Sequence, residues 1–400
     1  MSAPARLAVR AAGHRSSWRH TNGEPRVALM LGAAALIQAV GGAAVWAVVL
    51  HRDSSQQIAT VGAVIAITQL AGLLGGAGLP VVVARVRAEP DRLTILQLTA
   101  AITITGASLA LVLLSAVDPP RSIGRITLVA VGALASMAVV VDAHMAGQHQ
   151  WNRLLARVTV SAFLRILAIG LVASGHHLAL VLLAPDAATS AVALTSARNS
   201  PAIAADQERP ELGRYAITQY ASTLMVIGAL LVTPVLCGRY LSNHVLATFY
   251  PAWTIMAVVA TIAASAASAP LMTADADAPQ RATRPGWVGP AISTSAAIAF
   301  TGVSVGGGAL PHRAHDIATA AAGLLLANML WPYLMRNMTL LRIQARNRAT
   351  IAIATTWYLT ALAPTVVMGT NLTIARLAIA WACASLLTTG AAHVAARATS

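Results

Sequence analysis

Residues 59–92 read ATVGAVIAITQLAGLLGGAGLPVVVARVRAEPDR, an uncharged run from Ala59 to Val83 followed by Arg85, Arg87 and Arg92 in a short polar segment. At a rise of about 1.5 Å per residue, roughly 20 apolar residues carry a helix across a hydrocarbon core about 30 Å thick. The run is long enough to span, and the arginines sit where the chain would leave the bilayer. The same unit repeats along the chain. Apolar stretches cover roughly 28–50, 59–83, 94–116, 126–147, 158–174, 178–195, 215–236, 245–270, 286–309, 317–335, 350–368 and 373–396. Twelve spanning helices follow, an all-α polytopic membrane protein. Only 10% of the residues are charged and 57% are hydrophobic. No gap between stretches is long enough to fold as a separate soluble domain.

Arginine placement orients the helices. The chain has 27 basic residues, all of them Arg. With the N-terminal tail inside, the outer turns hold only Arg52, Arg121, Arg125, Arg239, Arg313 and Arg376, Arg165 falls within a stretch, and every other Arg lies inside. Short loops with this bias set topology by the positive-inside rule, so both termini are expected in the cytoplasm. The net charge of +14 is then a product of topology, with anionic head groups as its natural counterpart, and nucleic acid is not needed to explain it. Arg in place of Lys throughout, with abundant Ala, fits a GC-rich genome and hence a bacterial inner membrane. The basic tail before the first stretch resembles a signal peptide only superficially, because the stretch is longer than a signal core and more spans follow. Cys237 and Cys383 stand alone without metal-ligand spacing, so neither a disulfide nor a metal is expected. No cofactor is expected.

A faint repeat at an offset near 188 divides the chain. Arg26-Val-Ala matches Arg214-Tyr-Ala, Ile58-Ala59-Thr60 matches Leu246-Ala247-Thr248, and Asp91-Arg92 falls near Gln280-Arg281. The reading is a basic tail over 1–27 and two six-helix bundles over 28–205 and 206–400. An even number of spans per half makes the halves parallel, and transporters of that build place the substrate path between them near the midplane.

Ionisable and amide side chains within spans are costly, at about 2.5–3.5 kcal/mol for a charge at a helix centre, and mark candidate sites. Arg165 lies near the middle of the fifth stretch, where its guanidinium cannot shed its proton and needs an anionic or carbonyl partner. Asp186 in the sixth stretch and Asp142 in the inner half of the fourth are its candidate partners or proton carriers. Pro185, just before Asp186, frees a backbone carbonyl in the preceding turn. Gln38, Gln69 and Gln219 are further mid-span candidates for a central cavity, with interhelical hydrogen bonding as the competing role. Trp331-Pro332-Tyr333 beside Arg336 reads as aromatic anchoring where the tenth stretch ends at the inner interface. His176-His177 reads as an ordinary solvated turn.

The opening of the chain is similar to that of polysaccharide flippases: Ile58-Ala-Thr60-Val-Gly-Ala, then a small-residue span ending Gly78-Leu79-Pro80-Val-Val-Val-Ala-Arg85. The connection Gln148-His-Gln-Trp-Asn-Arg153-Leu-Leu-Ala-Arg157 and the second half beginning at Arg214-Tyr215 resemble the same family. The resemblance implies the superfamily of multidrug, oligosaccharidyl-lipid and polysaccharide exporters. It also implies a cavity between two bundles and export of an anionic lipid-linked saccharide or other amphiphile held by basic residues. Glycan-assembly proteins are the implied partners. Two alternatives stand beside it. A major-facilitator or multidrug-type small-solute exporter shares twelve spans, but the 85–92 loop keeps only Asp91-Arg92 of the major-facilitator signature. A multi-pass glycosyltransferase has Asp53 in its first outer loop, but that loop is short, and no carboxylate pair or nucleophile supports catalysis. An enzyme is therefore not expected.

Overall fold

The computed structural model describes residues 23–52, 54–76, 150–171, 212–273, 287–306, 311–344 and 346–397, with positions 141, 142, 145, 185, 188–190 and 192 besides. The third stretch, most of the fourth and sixth, and the 85–92 loop lie outside the described residues, as do Asp53 and the turn at His176-His177. The helices are α1 (Gly23–Arg52), α2 (Ser55–Gly76), α3 (Trp151–Leu171), α4 (Leu212–Tyr240), α5 (Asn243–Thr273), α6 (Val288–Gly306), α7 (His312–Ala327), α8 (Trp331–Ile343), α9 (Asn347–Met368) and α10 (Ile374–Arg397). Among the described residues, six segments are long and apolar enough to cross a membrane. Helices α1, α4 and α5 overshoot their apolar stretches at both ends, because a spanning helix keeps its hydrogen bonds into the polar interface.

Tight turns join antiparallel neighbours. Between α1 and α2, the Gln57 side-chain oxygen accepts from the Ser54 amide at 3.0 Å, and the Ser54 hydroxyl accepts from the Gln57 amide at 3.4 Å. This reciprocal box satisfies two donors that a helix start leaves open and fixes where α2 begins.

The tenth stretch is one span built of two helices, and residues 328–330 form the turn between them. Pro332 has no amide hydrogen for the Asn328 carbonyl, which accepts instead from the Trp331 amide at 2.9 Å. The span resumes as α8 with proline in its first turn and reaches Ile343, well past the expected end near 335. The sequence expectation for Trp331 is thereby overturned. It is 3% exposed in the core, not an interfacial anchor, because the span does not end there.

The core of the second half is a chain of aromatic rings. Phe249 and Trp253 of α5 lie 5.3 Å apart, Trp253 meets Trp381 of α10 edge-on at 5.0 Å, Trp381 meets Trp357 of α9 edge-on at 5.2 Å, and Trp357 meets Trp331 of α8 at 5.2 Å. Edge-to-face rings at these separations add to what their buried area contributes. The Trp357 indole also donates to the Val226 carbonyl of α4 at 3.0 Å, so helices from all over the half meet at one place.

The two halves touch through α1 and α2 on one side and α4 and α5 on the other. The Trp46 indole donates to Thr254 at 3.2 Å. At Gly62 the α2 backbone passes so close to the Tyr250 ring that a Cβ there would lie 2.2 Å from it. Only glycine permits that approach. Arg313 donates to Ser55 at 3.2 Å. These contacts lie in the part of each helix next to the turns at 52–55 and 241–242. Toward the other end of α1, Ala34 belongs to a separate cluster with Val141, Met145, Leu154 and Val158, all of the first half.

Candidate functional site: a buried arginine on a polar stripe of the first half

Helix α3 buries a face that is not apolar. Arg157, Ser161 and Arg165 recur every four residues and so lie along one stripe, with about 12 Å of helix between the first and last at 1.5 Å per residue. Ser161 is buried and Arg165 half-buried. Val158 and Leu154 beside the stripe pack into the first-half cluster, which fixes the rotation of α3 and turns Arg157 inward.

Arg157 is the most enclosed charge of this site. Its side chain is 4% exposed, against 28% for Asp142, its partner in an ion pair. The Arg157 Nε donates to one Asp142 oxygen at 2.6 Å, and a terminal nitrogen donates to the other, so the guanidinium and carboxylate face each other fork to fork. The remaining terminal nitrogen donates to the Ser190 hydroxyl at 3.4 Å. Three segments of the first half, around 142, 157 and 190, are thus tied through one guanidinium. A planar fork of this kind matches carboxylate and phosphate oxygens equally well.

The sequence expectations meet this geometry as follows. Asp142 is in the site, but the partner it grips is Arg157, where the sequence reading offered it to Arg165. From sequence Arg157 reads as one more inner-surface arginine, because the apolar stretch begins at 158, whereas α3 starts at Trp151. The four-residue spacing to Ser161 and Arg165 is the signal that points to it. Asp186 lies outside the described residues. Next to it Pro185 is helical, and its carbonyl accepts from the Thr189 hydroxyl at 2.7 Å. Gln69 is exposed on α2, and the side chains of Gln38 and Gln219 lie outside the described part. Both cysteines are free thiols, Cys237 buried and Cys383 exposed. Among the described residues no group of three His, Cys, Asp or Glu side chains is placed to hold a metal.

A second arginine of the same kind appears in the other half. Arg342, at the end of α8, donates to Ser222 at 3.0 Å and to Thr223 at 3.4 Å on α4. It too reads from sequence as a loop arginine, and it is recruited because the tenth span runs further than its apolar stretch.

No protein-family model and no curated protein matches the sequence. Solved structures do. A MATE transporter in complex with MaL6 aligns over 94% of this chain and 95% of its own, with a TM-score of 0.64 and 14% identity. An outward-facing multidrug resistance MATE transporter of the MOP superfamily aligns over 94% of each chain, with a TM-score of 0.63 and 14% identity. A MOP superfamily transporter from Pyrococcus furiosus, whose binding pocket is described as having reverse polarity, aligns over 94% of each chain with a TM-score of 0.62 and 14% identity. The chain therefore has the fold of the MATE transporters, an all-helical membrane fold of twelve helices in two parallel six-helix bundles.

Proposed function

We propose that this protein is a transporter of a bacterial inner membrane, with both termini cytoplasmic, that moves an amphiphile with an anionic head group by alternating access between bundles formed by residues 28–205 and 206–400. The observation that carries the reading is the stripe of buried Arg157 and Ser161 and half-buried Arg165 in a fold shared with transporters. Two guanidiniums spaced along one helix face give a phosphate-bearing head group a succession of partners, and a lipid tail needs no cavity because the bilayer holds it. A lipid-linked saccharide destined for envelope polysaccharide fits that description. Glycan-assembly proteins would be its natural partners. Asp186 and the amides Gln38, Gln69 and Gln219 are proposed to line the same path.

Alternating access has support in the contact between halves. The glycine-mediated approach of α2 to Tyr250 is a close-packed surface of the kind that an alternating-access cycle would have to open. In the proposed orientation this surface would lie on the outer side of the membrane.

Mass spectrometry of lipids copurifying with the protein tests the substrate. A prenyl-phosphate-linked saccharide enriched with wild type and lost with Arg165→Ala, at equal yield and folding, is the expected result. Absence of any such lipid would overturn the lipid-linked reading. The likeness to multidrug resistance transporters favours a second reading, export of small amphipathic solutes, which a drug-resistance assay in a sensitive host would reveal.

A further inference from the structure

The break in the tenth span leaves two buried polar groups unprovided for. Asn328 opens the turn with φ -100° and ψ 9°, and its side-chain nitrogen folds back to donate to the Leu324 carbonyl at 3.1 Å. Its side-chain oxygen has no hydrogen-bond partner, although the residue is only 2% exposed. Ser293 of α6 is equally enclosed, and its hydroxyl also bonds to nothing. Thr233 and Thr388, buried in the same half, instead donate to the carbonyl one turn back on their own helices. An unpaired polar group costs most where no water reaches it, and the interior of a membrane bundle is such a place.

The two groups lie level with each other. α6 runs antiparallel to α7 and α8, and two contacts fix the register. Gly289 passes so close to Pro332 that a Cβ there would lie 3.0 Å from the proline Cβ and 2.4 Å from the Ala263 carbonyl oxygen. Toward the other end of α6, the Ser304 and Thr319 hydroxyls meet at 3.0 Å. One helical turn on from Gly289 is Ser293, and one turn back from Pro332 is Asn328, so both stand at the same height between those contacts. The hydroxyl can donate and the carboxamide oxygen can accept.

We propose that the break in the tenth span is a hinge, and that Ser293 and Asn328 are the latch of its second position. In that position α8 has swung about residues 328–330, the Asn328 carboxamide has turned away from Leu324, and its oxygen accepts from the Ser293 hydroxyl. The position described here is the unlatched one. Pro332 has no amide to tie α8 back across the turn, so the swing breaks no ladder bond at that point. The Leu324 carbonyl still holds the Asn328 amide at 3.1 Å, so releasing the side chain leaves that carbonyl paired. A few residues at an element end absorbing the change is how hinges are built. The inference deepens the transport reading and rests on it, since it names a part that moves inside the second bundle.

The test is pulsed electron-spin distance measurement on the full-length protein in nanodiscs, without added ligand. Nitroxides go on His312→Cys and Gln344→Cys, both exposed and at the two ends of the span, in a Cys237→Ala/Cys383→Ser background. Two distances are expected in the parent. Ser293→Ala should reduce the population of one of them about fivefold, the worth of a single hydrogen bond, and Ser293→Thr, which keeps a hydroxyl, should restore it. Asn328→Leu should remove the same population, and Ser293→Ala/Asn328→Leu should remove no more than either alone. Ser293→Ala deletes only an oxygen that has no partner here, so thermal stability should not fall.

A single distance in the parent overturns the proposal, and so do two distances whose proportions Ser293→Ala leaves unchanged. The outcomes for the two readings differ. Latch-dependent distances in a protein that copurifies no lipid and confers no drug resistance leave the hinge standing and remove the transport reading. Transport with distances indifferent to Ser293→Ala does the reverse.

Discussion

The two halves of this molecule solve the same packing problem with opposite chemistry. The second half ties its helices through a chain of five aromatic rings, while the first half ties three segments through one buried guanidinium. Ring contacts and the Trp357 bond link five helices at one place, which gives the second half a dense centre. The first half instead depends on a charged pair whose Arg157 member is almost fully enclosed. A membrane protein gains little from moving apolar groups between lipid and core, and geometric fit and hydrogen bonds carry the specificity instead. The aromatic body is the frame of the second half, and the charged pair is the tie of the first.

Truncating the frame should cost most. Trp357→Ala removes a fully buried indole, its contacts with Trp331 and Trp381, and its bond to the Val226 carbonyl, and should destabilise by about 3–5 kcal/mol in thermal unfolding of the reconstituted protein. A finer comparison sits inside the ring chain. The indole nitrogen of Trp381 is buried without a hydrogen-bond partner, unlike that of Trp357. Trp357→Phe should therefore be more destabilising than Trp381→Phe, by about 1 kcal/mol. Equal losses would show that ring contacts alone hold the frame.

The tie in the first half should break asymmetrically. Arg157→Ala removes the guanidinium that faces Asp142 and should cost about 3 kcal/mol, whereas Asp142→Asn/Arg157→Gln should cost much less, because both charges of the pair leave together. If single and double variants melt together, the pair contributes nothing to stability and the comparison between halves loses its basis. Gly62→Val acts between the halves. Its side chain would overlap the Tyr250 ring, so the described contact between α2 and α5 cannot form. Cysteines replacing Trp46 and Thr254 should be bridged by a short bifunctional thiol reagent that takes up the space of the lost indole, readily in the parent and several-fold less in Gly62→Val. Unchanged cross-linking would mean that the bundles meet in some other way.

Much of the frame is legible in the chain before any coordinates. The stretch 28–50 becomes Gly23–Arg52, and 373–396 becomes Ile374–Arg397, because apolar length and arginine flanks report directly on the bilayer. What is not legible follows from the same rule. An arginine counted as a loop residue looks identical whether it meets solvent or turns inward, so Arg157 and Arg342 pass as topology markers. Asp142 is legible as an intramembrane charge, but its pairing with Arg157 depends on the rotation of α3, which Leu154 and Val158 set by packing. Trp331 fails for a related reason. Polar Arg336 and Asn337 close the apolar stretch, and Pro332 suggests an end, whereas proline here opens the first turn of a new helix in the same span.

The smallest effect concerns a feature that belongs to neither chemistry. Ser54 and Gln57 close the start of α2 by exchanging hydrogen bonds, and α2 carries Gly62 into the contact with the second half. Ser54→Ala removes the acceptor for the Gln57 amide and should cost about 1 kcal/mol. The loss should fall on local order and not on the core, since Ile58 and Val61 remain packed. Hydrogen exchange should thus quicken in the first turn of α2 and leave α9 and α10 unchanged. Were exchange instead to quicken around Tyr250 as well, the cap would be holding the register of α2 against the second half, and the two halves would be coupled through a turn of four residues.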